Sequence, residues 1–186
     1  MEKFLVEIFV IIATGTILYV LFFAQAFIKR LITGTWLSKR EQDDVKFFEE
    51  LSDNVNATND KGHPVLYAAI HEYYMDRALK LIELGADVNK TTKEGVTPIF
   101  LAAYRGDNDL CSKLISAGAN VNAKNQGGVT PLMFAAGKGY IGTVQLLIEN
   151  GANVFEKSNN GETALNWAEE SDNKATIEYL RSKGLK

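Results

Sequence analysis

Four glycines, Gly62, Gly95, Gly128 and Gly161, recur every 33 residues, and a second set, Gly85, Gly118, Gly151 and Gly184, keeps the same step. This self-similarity restricts the chain to architectures in which a small unit stacks on copies of itself. A unit this short cannot bury its own apolar side without a neighbour. Around the first set run Gly62-His63-Pro64-Val65-Leu66-Tyr67-Ala68-Ala69, Gly95-Val96-Thr97-Pro98-Ile99-Phe100-Leu101-Ala102-Ala103, Gly128-Val129-Thr130-Pro131-Leu132-Met133-Phe134-Ala135-Ala136 and Gly161-Glu162-Thr163-Ala164-Leu165-Asn166-Trp167-Ala168. Around the second set stand GADVN at 85–89, GANVN at 118–122 and GANVF at 151–155, and every proline of the chain lies two or three residues after a glycine of the first.

Each position has a physical reading. Thr97 and Thr130 are N-cap residues, and Pro98 and Pro131 follow at the first helical position, where a missing N–H costs nothing. Ala102, Ala103, Ala135 and Ala136 are small enough for neighbouring helices to approach closely. In the second helix of each unit, Cys111, Leu114 and Ile115 match Val144, Leu147 and Ile148, and also Ala78, Leu81 and Ile82, at the spacing of one buried face. Gly85, Gly118 and Gly151 then supply the left-handed residue that ends many helices. The pattern predicts two helices and a protruding turn, repeated four times.

These motifs resemble the ankyrin family, whose repeat has this length and a Thr-Pro-Leu-His-x-Ala signature opening its first helix. The resemblance spans about three quarters of the chain. It implies an all-α ankyrin-repeat solenoid of helix-turn-helix units with protruding β-turns, over residues 41–186. Repeats lie near 62–94, 95–127, 128–160 and 161–186. Before them, Val45, Phe48 and Leu51 with Asp53-Asn54-Val55-Asn56 fall in register with a second helix and its loop, which predicts a half-repeat cap over 41–61 with a helix from about 41 to 51. At the far end Ile177 and Leu180 keep the core pattern, while Glu178, Arg181, Ser182 and Lys183 make the outer face polar, as a terminal repeat requires.

Residues 1–40 are unlike the rest. They carry Lys3, Lys29, Arg30, Lys39 and Arg40 against Glu2 and Glu7, net +3, whereas residues 41–186 hold 15 basic and 21 acidic side chains, net −6. From Ile8 to Ile28 no charge interrupts the chain, and as a helix that segment would reach about 32 Å, enough to cross a hydrocarbon layer of about 30 Å. The reading is one transmembrane helix within residues 1–30 and a basic juxtamembrane linker at 31–40. The basic residues following the span place the repeats in the cytoplasm by the positive-inside rule, with Trp36 near the interface.

A cleaved signal peptide is the competing reading, since Ala24-Gln25-Ala26 has the form of a cleavage site. Cleavage there would export the array to the periplasm or the medium. The acidic head and the long apolar stretch speak against it. No ionisable residue lies in the span, and Gly15 is followed four residues later by Tyr19, so ion-pathway and GxxxG signals are both missing.

The acidic body carries no cluster of basic residues, which argues against nucleic acid. Cys111 is the sole cysteine, so no intramolecular disulfide forms, and its core register marks an inert thiol. Two histidines and one cysteine show no metal spacing, and no cofactor or small-molecule substrate is implied. His71 and Glu72 are adjacent and point in different helical directions. No nucleophile elbow, P-loop or paired carboxylate site occurs, so the chain reads as a binding module rather than an enzyme.

The resemblance implies a concave face built from turn tips and first helices, where a protein partner docks. By register this face includes Lys61, His63, His71 and Glu72 from the first unit and Lys93, Glu94, Val96, Tyr104 and Arg105 from the second. The third contributes Gln126, Val129 and Lys138, and the fourth Asn160, Glu162 and Glu170. Tyr104 and Arg105 are the expected hot spots, because aromatic and guanidinium groups dominate binding energy at interfaces. The bland alternative for several of these is simple solvation. Where the family most often has histidine, this chain has Tyr67, Phe100, Met133 and Asn166, which puts the family's hydrogen-bonded tie between units in doubt. The spacing of Tyr67, Phe100 and Met133 suggests core packing rather than a binding strip. A tethered interaction module that binds, positions or inhibits a protein partner is the leading expectation. The alternatives are an exported soluble binder or protective inhibitor, and an accessory subunit of a membrane complex.

Overall fold

The threonine and proline pairs begin helices where their chemistry requires. A computed structural model of the protein describes residues 54–185. Within them run α1 (Val65–His71), α2 (Met75–Glu83), α3 (Pro98–Arg105), α4 (Asn108–Ser116), α5 (Pro131–Gly137), α6 (Ile141–Glu149), α7 (Ala164–Glu170) and α8 (Lys174–Ser182). Among the described residues there is no strand, only an isolated antiparallel bridge between Thr58 and Pro64. The odd-numbered helices pack side by side as one layer. In the even-numbered layer α4 meets α6 and α6 meets α8, and each helix pairs with its partner in the other layer.

The core lies between the layers and runs unbroken through the units. Leu66, Ile70, Leu81, Ile99, Leu110, Leu114, Leu132, Leu147, Leu165 and Leu180 are all buried in it. Ala78, Cys111 and Val144 fill one column and Leu81, Leu114 and Leu147 the next, as the helical spacing requires. The alanines expected to permit close approach, Ala102, Ala103, Ala135 and Ala136, are fully covered. At the last unit Leu180 is buried while Glu178, Arg181, Ser182 and Lys183 face solvent.

Capping departs from expectation at one threonine. Thr130 Oγ1 accepts from the Met133 N–H while Met133 Sδ accepts from the Thr130 N–H, both at 3.4 Å. At Thr163, Asn166 Oδ1 accepts from the backbone N–H (2.9 Å) and the hydroxyl (2.8 Å). Thr97 holds the same N-cap position, yet its side chain makes no capping bond and its hydroxyl is buried without a partner. The Phe100 N–H, from which a capping hydroxyl would accept, is given to the Thr97 carbonyl instead. The helix still starts there, held by Pro98 and by a backbone bond from the Phe100 N–H to the Thr97 carbonyl (3.1 Å).

Each protruding turn is tied by a side chain three residues before its glycine. Asn59, Thr92, Asn125 and Ser158 each accept from the N–H groups two and four residues on, at 2.9–3.3 Å. Between units, the last asparagine of each GAxVN loop serves as a rung. Asn89 accepts from the Asn120 N–H (2.7 Å) and donates to the Gly118 carbonyl (2.9 Å). Asn122 repeats both bonds to Asn153 and Gly151 at 2.7 and 2.9 Å, and Asn56 accepts from the Asp87 N–H at 2.7 Å. This ladder ties successive units together. It ends at Phe155, a ring in the amide's place that stands 58% exposed.

The span at 8–28, its cleavage alternative, the linker at 31–40 and the cap helix near 41–51 lie outside the described residues. Among the described residues no helix is long and apolar enough to cross a membrane.

Candidate partner-binding surface

The inner helices turn one row of side chains toward solvent, and the 33-residue register fixes which residues share it. Along successive units one column reads Ala68, Leu101, Phe134 and Trp167, growing in size, and the column a turn further on reads His71, Tyr104, Gly137 and Glu170. Gly137 is the break in that second column. A Cβ built there would lie 3.0 Å from Trp167 Cε3, so the indole occupies the room a side chain would need. The result is a groove of about 340 Å³ lined by Tyr104, Phe134, Gly137, Lys138, Trp167, Glu170 and Ser171.

The rings of this groove are held edge to face. Phe134 meets Tyr104 at 5.9 Å between centroids with planes at 87°, and meets Trp167 at 5.5 Å and 82°. Its opposite contact is the buried Phe100, at 5.9 Å and 78°. Edge-to-face pairs of this kind contribute beyond their buried area, so the three contacts hold the rings against one another. Trp167 Nε1 donates to the Glu162 carboxylate (3.2 Å), which fixes the indole. Lys138 Nζ lies 4.6 Å from the centre of the Tyr104 ring. Tyr104, Lys138 and Glu170, each expected at a contact surface, are thus brought together. Phe134, Gly137, Trp167 and Ser171 complete the groove and were missed, although the growing column ending in Trp167 and the glycine gap beside it are visible in the aligned repeats.

Arg105 has a different role from the one its residue type suggests. Its Nη2 donates to the His71 carbonyl (2.9 Å), its Nη1 donates to the Ile70 carbonyl, and its guanidinium lies 3.8 Å from the centre of the Tyr73 ring. The planar fork closes the C-terminal end of α1, whose last carbonyls lack helical partners. Arg105 is a clamp between units. Tyr73 itself sits at φ 64°, in a column where the next units have Gly106 and Gly139 at φ 70° and 72°, so the stacked guanidinium holds down a residue that pays for its backbone.

Gln126 is also diverted to structure. Its amide donates to the Lys93 carbonyl (2.7 Å) and its backbone N–H to the Glu94 carbonyl (3.0 Å), joining the second and third tips. Asn159 does the same one unit later, donating to the carbonyls of Gln126 and Gly127 at 2.9 Å each. Lys61, Lys93, Glu94 and Asn160 are exposed on the tips, and Val96 and Val129 are half-buried beneath them. The side-chain hydrogen bond with Thr92 holds the Glu94 carboxyl below its ordinary value. In the first unit Tyr67 stands between the two histidines, 5.2 Å from His63 edge-on and 5.9 Å from His71 stacked. Partial burial raises the Tyr67 phenol, helped by Glu94 and opposed by Arg105. His71 and Glu72 are exposed. The family-histidine column does pack inward at Phe100 and Met133, each 1% exposed. Among the described residues no cluster of three His, Cys, Asp or Glu side chains is placed to hold a metal.

Stacked helix pairs with an open row along their inner layer define a solenoid interaction module. A family model described as ankyrin repeats (3 copies) matches residues 35–125 and 99–186. The chain belongs to the ankyrin-repeat family, whose members typically serve as protein-binding modules rather than enzymes. No curated protein matches it.

Proposed function

We propose that this ankyrin array is a membrane-anchored module that holds a protein partner through the groove floored by Phe134 and Trp167. The observation that carries the reading is the bare backbone of Gly137, which lets the Trp167 indole in so that three aromatic side chains line one groove between Lys138 and Glu170. Clustered aromatic side chains in a concave, preformed setting are what binding hot spots are made of. The charge-free segment from Ile8 to Ile28, followed by Lys29, Arg30, Lys39 and Arg40, supports a single span with the repeats on the cytoplasmic side. Tethering raises the effective concentration of any partner sharing the membrane, so modest contacts suffice.

The test uses the full chain in its membrane. A photo-crosslinking side chain replaces Tyr104 or, on the opposite layer, Ser112. Partner adducts are expected from position 104 and not from 112. Gly137→Leu, which fills the groove and displaces the indole, is expected to remove them while leaving the helical spectrum intact. Adducts that survive Gly137→Leu sink the groove reading. Alkaline extraction of membranes, with mass determination of the N-terminus, tests the tether: release of the protein, or a mature chain beginning at Phe27, replaces the anchor with export.

A further inference from the structure

The groove is lined by three aromatic side chains, the Glu170 carboxylate and the Lys138 ammonium, and that combination selects a ligand. Aromatic faces carry negative charge density and attract cations, most strongly where water is partly excluded. The chain supplies its own example, since the Lys138 ammonium already lies 4.6 Å from the Tyr104 ring centre. Glu170 borders the same groove and forms no ion pair among the described residues, unlike its neighbour Glu169, which is bound to Arg181 at 2.8 Å. An apolar occupant would strip water from Glu170 and Lys138 and return nothing to either. A cationic occupant pairs with Glu170, and the acidic body of the chain, net −6 over residues 41–186, draws such a segment in.

We propose that the groove is a cation clamp. It takes an arginine or lysine side chain of a bound polypeptide between the rings of Tyr104 and Trp167, above Phe134, with the Glu170 carboxylate as counter-charge. In the free protein Lys138 occupies the Tyr104 side of the clamp and yields it on binding. This deepens the proposed docking surface and rests on it.

The experiment uses the full chain in detergent micelles with Trp36→Phe, which leaves Trp167 as the one indole, since the chain has two tryptophans. The probes are acetylated, amidated pentapeptides with Gly-Gly on either side of a central arginine, lysine, leucine, phenylalanine or glutamate. The arginine and lysine probes are expected to change Trp167 emission saturably, and the leucine probe to bind about fivefold more weakly, the size of one partly desolvated cation–π contact. Glu170→Gln should weaken the arginine probe by about fivefold, and Lys138→Ala should strengthen it by removing a like charge and a competitor. Tyr104→Phe should retain binding and Tyr104→Leu lose it, with a single cooperative melting transition kept in both. Leucine or phenylalanine probes that equal arginine overturn the clamp while leaving the groove as a docking site. Absence of any saturable response to arginine in both the parent and Lys138→Ala overturns it as well. Loss of the clamp together with crosslinks that survive Gly137→Leu removes the docking reading too.

Discussion

Arg105 and Lys138 stand one repeat apart, each just after the exposed column of an inner helix, and each reaches back over the unit before it. Arg105 spends its fork on the carbonyls of Ile70 and His71 and its face on Tyr73, so the junction of the first two units is closed. Lys138 makes no such bonds, and its ammonium rests over Tyr104 at the edge of an open groove. A guanidinium offers several donors in a fixed plane, whereas an ammonium is a compact point charge on a flexible stem. The same register position therefore seals one junction and leaves the other available. In a repeat protein, what is shared between units builds the array, and what departs from the repeat is where a partner finds purchase.

The widest challenge to this contrast is to ask whether the two regions belong to one cooperative structure. Leu114→Ala, in the fully buried column of α4, should cost about 2–5 kcal/mol. Trp167 emission and far-ultraviolet dichroism should still melt together, because neighbouring units share one core. Separate transitions would mean that the closed and open regions are independent, and the comparison would lose its basis.

Arg105→Ala should remove about 1–3 kcal/mol, from two charge-assisted bonds and one cation–π contact. Alkylation of Cys111 then reports the loosening. Burial pushes the Cys111 thiol up to about 12, so the native protein should resist iodoacetamide at pH 8, and the arginine variant should react faster. A melting temperature unchanged by Arg105→Ala would return that residue to the list of contact hot spots.

Alkali acts on the unit that carries Arg105 through the same thiol. In the unfolded chain the thiol ionises near its ordinary value of about 8.5, while the folded site keeps it protonated until about 12. The group's contribution is complete below the lower value and is lost as pH rises through the window above it, at about 1.4 kcal/mol per unit. Urea titrations at pH 8 and pH 9.5 should therefore differ, and Cys111→Ala should flatten much of the difference. Equal slopes in both proteins would show that the thiol is not held in its neutral form.

The smallest expected effect sharpens the contrast most. Lys138→Ala should alter stability by less than about 1 kcal/mol, as for one exposed cation–π contact. A loss as large as that of Arg105→Ala would make the two positions equivalent and the groove a structural seam.

The helix starts at Pro98 and Pro131, the glycine stops and the buried columns through Leu81, Leu114 and Leu147 were legible because local chemistry and period alone fix them. Tyr104, Lys138 and Glu170 were legible as members of one face. Arg105 and Gln126 were not, since a residue type that favours interfaces is equally suited to bonding the carbonyls of the unit next door, and only the position of those carbonyls decides between the two uses. Thr97 failed as a cap for a similar reason. Its own chemistry was right, and the Phe100 N–H three residues on bonds the Thr97 carbonyl instead of the hydroxyl.

By itself the sequence determined that identical short units stack, where each begins and ends, and which side chains enter the shared core, because each of those outcomes follows from backbone preference and hydrophobic periodicity within one unit. Which polar groups would be consumed between units, and which rings would be left facing water around the gap at Gly137, was decided only by the stacking. Those outcomes depend on distances between residues some 33 positions apart, and such distances exist only once the units have come together.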